Sequence, residues 1–159
     1  MSPSVLPTAH PSDSTGTPDA STLHEEASDL RMATFRLARR LRAQRAVDTM
    51  SDGQFAVLAG LHIHGSHTLG ELADRERVSA PSMNRTVNCL EESGYLTRTA
   101  DDADRRKVNI ELTDAGASVV TETVRRRDAW LEEALAELTP KQRATLAAAS
   151  TLMRELAAR

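Results

Sequence analysis

The chain has a single cysteine, Cys89, in 159 residues, which excludes an internal disulfide framework and a cysteine-based zinc finger. It has no apolar run long enough to span a bilayer, and its start lacks the basic segment and apolar stretch of a secretory signal. A soluble, cytoplasmic protein without a membrane partner is the expectation. No Gly-rich loop is present to cradle a phosphate, no H-E-x-x-H, and no nucleophile with an evident base, so the chain does not read as an enzyme, and no cofactor is expected. Positive charge is short as well. The net charge is −3, where a protein that coats nucleic acid by bulk attraction would carry the opposite sign. Contacts to a polyanion would have to come from locally placed cations. Those present are 18 arginines and 2 lysines, and arginine's planar fork suits bidentate contacts to phosphate or guanine.

Four of the six prolines, Pro3, Pro7, Pro11 and Pro18, fall in the first twenty residues among Ser, Thr, Ala and Gly. Such a stretch buries too little apolar surface to offset its ordering entropy, so residues 1–20 read as a disordered tail. Helix starts beyond it are well marked. Capping boxes need Ser or Thr at the N-cap and Glu or Gln three residues on, and Thr22/Glu25, Ser51/Gln54, Thr68/Glu71 and Thr139/Gln142 all fit. Pro140 stands at the favoured first position of the last of these.

The spacing predicts a first helix over about 22–47, with Leu23, Leu30, Leu37 and Leu41 along one stripe, the pattern of a helix–helix seam. A second helix starts at Ser51 and stops at Gly65. A short third runs from Thr68 to about Arg75, and a fourth, capped by Ser79, reaches Gly94. The periodicity then changes. Tyr95 to Arg98 is β-prone, and Lys107 to Leu112 alternates with Val108, Ile110 and Leu112 on one side. With the polar stretch 99–106 between them, these form a hairpin. Helical spacing returns from Thr113 and again from Pro140.

A short helix, a turn, a second capped helix and then a hairpin is the layout of a winged helix-turn-helix. The fold expected is therefore mainly α with a small β-hairpin wing. Its parts are a tail over 1–20, an N-terminal dimerisation helix over 21–48, a winged helix-turn-helix over 49–113, and C-terminal dimerisation helices over 114–159. At about 100° per residue, Met83, Val87 and Leu90 form the buried stripe of the fourth helix. Ser82, Asn84, Arg85 and Asn88 point away from it. Those residue types read the major groove: Arg for guanine, Asn for adenine, Ser for bases or phosphate. Ser79 and Ser82 at the helix start can also receive a phosphate.

The stretch Asp101-Asp-Ala-Asp104-Arg105-Arg106, followed by Val108 to Leu112 and Thr113-Asp-Ala-Gly116, resembles the wing signature of the MarR family, D-x-x-D-x-R, a strand, then L-T-x-x-G. Val78 to Arg85 and Leu90 to Arg98 are similar to that family's recognition helix and its exit. The resemblance covers everything from about Thr22 onward. It implies a homodimer, formed through the first and last two helices, on double-stranded DNA at a pseudo-palindromic operator. It also implies release by a small, largely apolar effector. Arg106 would enter the minor groove, Asp104 would hold it by an ion pair, and Arg105 would contact phosphate. Ser82, Asn84 and Arg85 would read the major groove. The alternative is a winged-helix protein–protein module, which would not need Asn84, Arg85, Arg105 and Arg106 on one face.

Other residues carry weaker signals. His62, His64 and His67 could suggest a metal, but i and i+2 on a helix face apart and Gly65 interrupts them, so no metal is expected. Cys89 lies off the core stripe without an evident activating base, so a redox role is not expected. Trp130 reads as core or dimer interface, and Arg125-Arg126-Arg127 as a solvated face.

The wing yields a test. On charge alone, Asp104→Ala should tighten DNA binding by removing repulsion of phosphate. If Asp104 fixes the Arg106 guanidinium, it should weaken binding, though less than Arg106→Ala does. The double variant should then be no worse than Arg106→Ala, the non-additivity of two residues acting as a unit. Fluorescence anisotropy on an operator duplex separates the outcomes, and tighter binding or additive losses would overturn the pairing.

Overall fold

The computed structural model describes residues 19–100 and 107–159. The expected tail lies outside these except for Asp19 and Ala20, and so do Asp104, Arg105 and Arg106. The chain divides into two units, one ending at Leu37 and the other running from Ala38 to Arg159. The first contains most of α1 (Ala20–Ala43), whose residues Leu23, Leu30, Phe35 and Leu37 are exposed. Helix α1 begins two residues before Thr22, so Thr22 does not cap it. Asp19 stands at the start instead: its carbonyl accepts the Leu23 amide, and its carboxylate accepts the Ser21 hydroxyl at 2.6 Å. Those bonds from Ser21 hold the Asp19 carboxyl below the usual carboxylate range. The helix also stops earlier than its apolar spacing suggests, at Ala43 rather than Val47.

The second unit contains the remaining elements: α2 (Asp52–His64), β1 (His67–Thr68), α3 (Leu69–Arg75), α4 (Ala80–Glu92), β2 (Leu96–Ala100), β3 (Val108–Leu112), α5 (Asp114–Ala136) and α6 (Pro140–Ala157). Three of the four capping boxes form as read, at Ser51/Gln54, Thr68/Glu71 and Thr139/Gln142. The strands make an antiparallel sheet in the order β1-β3-β2, with Arg98 opposite Ile110 and His67 opposite Ile110 on the other side. Strand β1 is two residues long, too short for any period to announce it. No helix among the described residues is long and apolar enough to cross a membrane.

The core gathers Val57, Leu58 and Leu61 of α2, Leu72 and Ala73 of α3, Met83, Val87 and Leu90 of α4, Leu96 of β2, Ile110 of β3 and Val120 of α5. Helices α2 to α5 and the two hairpin strands each turn apolar residues into this core, whereas α1 and α6 bury none. Val108, expected beside Ile110, is exposed because it pairs with Ala100 at the outer end of the hairpin, beyond the reach of the core. The buried hydroxyl of Thr123 on α5 accepts the Ala46 amide at 3.1 Å, so the chain leaving α1 has its polar group satisfied.

Two Schellman motifs set the angles of the helix-turn-helix. At the end of α4, Gly94 N–H donates to Glu91 and Tyr95 N–H to Leu90, with Gly94 at φ 77. At the end of α3, Arg77 N–H donates to Asp74 and Val78 N–H to Ala73, with Arg77 itself at φ 53. A side chain in that left-handed region costs about 1–2 kcal/mol, and because arginine rather than glycine stands there, nothing in the sequence marks this turn.

The exit of α4 is locked to the start of α5. Thr113 N–H donates to Tyr95 O at 3.1 Å, and its hydroxyl donates to Gly94 O at 2.7 Å while accepting Gly116 N–H at 3.1 Å. A Cβ on Gly116 would stand 2.2 Å from Tyr95 O and 2.8 Å from Leu112 Cδ1. Backbone cannot yield as a side-chain end can, so Gly116→Ala should cost about 3 kcal/mol, the upper part of the overpacking range. Gly53→Ala in α2, with nothing within 4 Å of the added carbon, should instead be neutral or stabilise by up to about 1 kcal/mol. Urea unfolding followed by circular dichroism checks both, and equal effects would refute the contact argument.

Candidate nucleic-acid interface

Helix α4 is mounted rigidly. Ser79 caps it, accepting the Ser82 amide at 3.4 Å, and Pro81 lies in its first turn. Its buried residues are Met83, Val87 and Leu90, the stripe expected from the sequence. The remaining positions separate into two groups. Arg85 lies on the side of the helix opposite the core, is exposed, and bonds to no described residue. Ser82 is half-buried beside it, with its carbonyl accepting the Thr86 hydroxyl at 3.3 Å.

Asn84 and Asn88 belong to the other group, turned toward the hairpin. Arg98 of β2 reaches across to them. Its Nη2 donates to Asn88 Oδ1 at 2.8 Å and to Asn84 Oδ1 at 3.2 Å, and its Nη1 pairs with Glu91. Arg98 therefore ties the wing strand to one face of α4 along the i, i+4, i+7 row of 84, 88 and 91. Sequence reasoning assigned Arg98 no role. The signal was available in that helical row of two amides and an acid, but nothing in it says which cation crosses from the hairpin.

Of the other singled-out residues, only Cys89 lies on α4. Cys89 is exposed and its sulfur accepts Gln54 Nε2 at 3.0 Å, at the edge of a groove lined by Val47, Met50, Gln54, Leu90, Ser93 and Tyr95. His64 and His67 stand edge to face with ring centroids 6.5 Å apart, and His67 Nδ1 lies 2.9 Å from Gly65 O. Among the described residues no three His, Cys, Asp or Glu side chains converge as a metal site. Trp130 is half-buried on α5.

The solvated face expected of Arg125-Arg126-Arg127 describes the first two, which are exposed, but not Arg127, which is half-buried. Arg125 and Arg126 both bond Glu122, and these bonds hold its carboxyl down at about 2. Arg126 also donates to Arg45 O at 2.9 Å. Arg127 donates to Leu41 O at 3.2 Å and lies over the Phe55 ring, 4.3 Å from its centroid. Burial pulls the Arg127 guanidinium down from the usual arginine value, against the attraction of Asp52. A run of like charge reads as solvated when the carbonyls it serves are some 80 residues away in sequence.

The geometry is that of a helix-turn-helix with its exposed helix braced by a wing strand, and known proteins match it. The sequence profile of the MarR family covers residues 50–108, from the entry of α2 to the first residue of β3. An HTH-type transcriptional regulator of Mycobacterium bovis is 39% identical over 127 residues, covering 80% of this chain and 89% of its own. A transcriptional regulator protein from Pseudomonas aeruginosa superposes with a TM-score of 0.78 at 31% identity, over 88% of this chain and 98% of its own. Bordetella bronchiseptica BpsR, whose DNA binding is regulated by 6-hydroxynicotinic acid, superposes with a TM-score of 0.60 at 25% identity, over 84% and 98% of the two chains. With the same fold and this identity along most of both sequences, the chain belongs to the MarR family of helix-turn-helix transcriptional regulators.

Proposed function

We propose that the protein acts as a homodimeric repressor that binds a pseudo-palindromic DNA operator and is released by a small effector. The observation that carries the DNA-binding part is Arg85: a guanidinium exposed and without a bonding partner among the described residues, on the outer face of a helix held at both ends. Helix α4 enters the major groove, with Arg85 on a base edge and Ser79 and Ser82 at the phosphate side of its N-terminus. Asn84 and Asn88 face the groove from the wing side. Arg105 and Arg106, with Asp104, extend the contact to the adjacent minor groove.

Dimerisation is supported by what each unit leaves uncovered. Helix α6 buries no residue and exposes Leu146, Leu152, Met153 and Leu156, while α1 exposes Leu23, Leu30 and Leu37. So many large apolar side chains in the open are costly for a lone chain, and a second copy would cover them. Two recognition helices then meet half-sites about one helical turn, roughly 10 base pairs, apart. For the effector, the groove beside Val47, Met50 and Tyr95 touches both the entry of α2 and the end of α4, so a molecule seated there would bear on the reading helix. The regulation of BpsR by 6-hydroxynicotinic acid supports a small aromatic acid or a compound like it.

Gel shifts with the protein's own upstream region at two salt concentrations test the reading, since phosphate contacts make affinity fall as salt rises. Absence of any shift would favour the protein–protein module. Arg85→Ala should cost about 1–3 kcal/mol on the cognate site and relax preference at one base pair of each half-site. A loss that is equal on all sequences would make Arg85 a phosphate contact only. For the dimer, sedimentation should give twice 17.3 kDa. Leu152 and Leu156 are 60% and 52% exposed in the single chain, so a lone protein would tolerate glutamate at both. The Leu152→Glu, Leu156→Glu double variant should instead give monomer or aggregate, and an unchanged dimer would refute this surface.

A further inference from the structure

The cluster joining wing and recognition helix changes what two of the reading residues can recognise. Arg98 Nη2 lies 2.8 Å from Asn88 Oδ1 and 3.2 Å from Asn84 Oδ1. A guanidinium carries only donors, so an amide that faces it must present its oxygen. Both amides are thereby turned the same way, oxygens toward Arg98 and Nδ2 groups away from it. Neither Nδ2 has a partner among the described residues, and both side chains are exposed. Arg98 itself is neutralised by Glu91, and its side chain is only 30% exposed, so it is poorly placed to serve as a phosphate contact.

Asparagine recognises adenine with both ends of its amide, accepting from N6 and donating to N7. With one lone pair of each oxygen taken by Arg98 and the amide turned that way, an adenine contact would have to share the oxygen with the guanidinium, while the Nδ2 donors are left free. The base edge that suits a donor is guanine's, which shows two adjacent acceptors, N7 and O6, in the major groove. Thymine shows one, beside its methyl group. We propose that Arg98 is a positioning residue that sets base preference: by engaging both amide oxygens it turns Asn84 and Asn88 to read chiefly as donors, which favours guanine over adenine. This rests on the DNA-binding reading above and adds to it a specificity that residue types alone would assign to the wrong base.

The test is selection of duplexes from a randomised library by the full chain and by Asn84→Ala, Asn88→Ala, Arg98→Met and Arg98→Lys, with binding sites read by sequencing. The base pairs at which selection is lost in the asparagine variants should be G·C in the wild-type selection. In Arg98→Met the same pairs should move toward A·T by at least about fivefold, the lower end of what a bidentate base contact discriminates. Arg98→Lys keeps the charge beside Glu91 but has no fork to span two amides, so it should move them in the same direction. A·T at those pairs in the wild type, no pair lost in either asparagine variant, or unchanged preference in both Arg98 variants would each overturn the proposal. The wild type and asparagine variants decide the base identity even if an Arg98 variant fails to fold. Selection of no sequence by the wild type would instead refute the DNA-binding reading itself, and this proposal with it.

Discussion

The close approach of Gly116 to the Tyr95 carbonyl is the constraint on which the rest of the second unit depends. A single hydroxyl, that of Thr113, bonds both to the last turn of the recognition helix region and to the first turn of α5. Through it the end of α4, the entry to β2, the end of β3 and the start of α5 meet at one point. The wing must therefore leave α4 at a fixed angle, and β2 must run back along the face that carries Asn84, Asn88 and Glu91. Without that direction Arg98 would have nothing to reach. The family motif L-T-x-x-G thus has a physical content here: leucine for the core, threonine for the cap and the bridge, glycine because backbone occupies the space of a Cβ.

A second layer of polar contacts joins α5 to the chain that leaves α1. Arg126 and Arg127 donate to carbonyls near the end of α1, and Thr123 takes the amide that follows. Carbonyls at a helix end lack intrahelical partners and favour cations nearby. Arginine can serve them from a distance because its long stem also packs, as Arg127 does on Phe55. The same region holds Arg45, bonded to Met50 O at 2.6 Å and paired with Asp52. The entry of α2 is in this way tied to the end of α1 and to α5.

The two strained or crowded positions differ in kind. Gly116 is a place where no side chain fits, so its identity is dictated by the fold. Arg77 is a place where glycine would be easier, yet a charged side chain stands exposed at the turn before the recognition helix. The Schellman bonds to Asp74 and Ala73 hold that backbone whatever the residue, so the fold permits the arginine without requiring it.

The sequence by itself determined the order of the helices and the hairpin, three of the capping boxes, the buried stripe Met83-Val87-Leu90 and the family, because caps and helical spacing are local and the wing signature is contiguous. It could not determine where α1 ends, since apolar spacing continued to Val47 while the chain had already turned away. Nor could it reveal β1, a two-residue strand that exists only because β3 offers an edge to pair with. The candidate site was legible as a list: Ser79, Ser82, Asn84, Arg85 and Asn88 all lie on α4 or at its cap. What only the tertiary structure decided is how that list divides. Arg85 is exposed on the outer face and bonds to no described residue, while the oxygens of Asn84 and Asn88 accept from Arg98, ten and more residues further along the chain. A hydrogen bond between a helix and a strand depends on the angle between them, and that angle is fixed by a turn and a glycine distant from both asparagines.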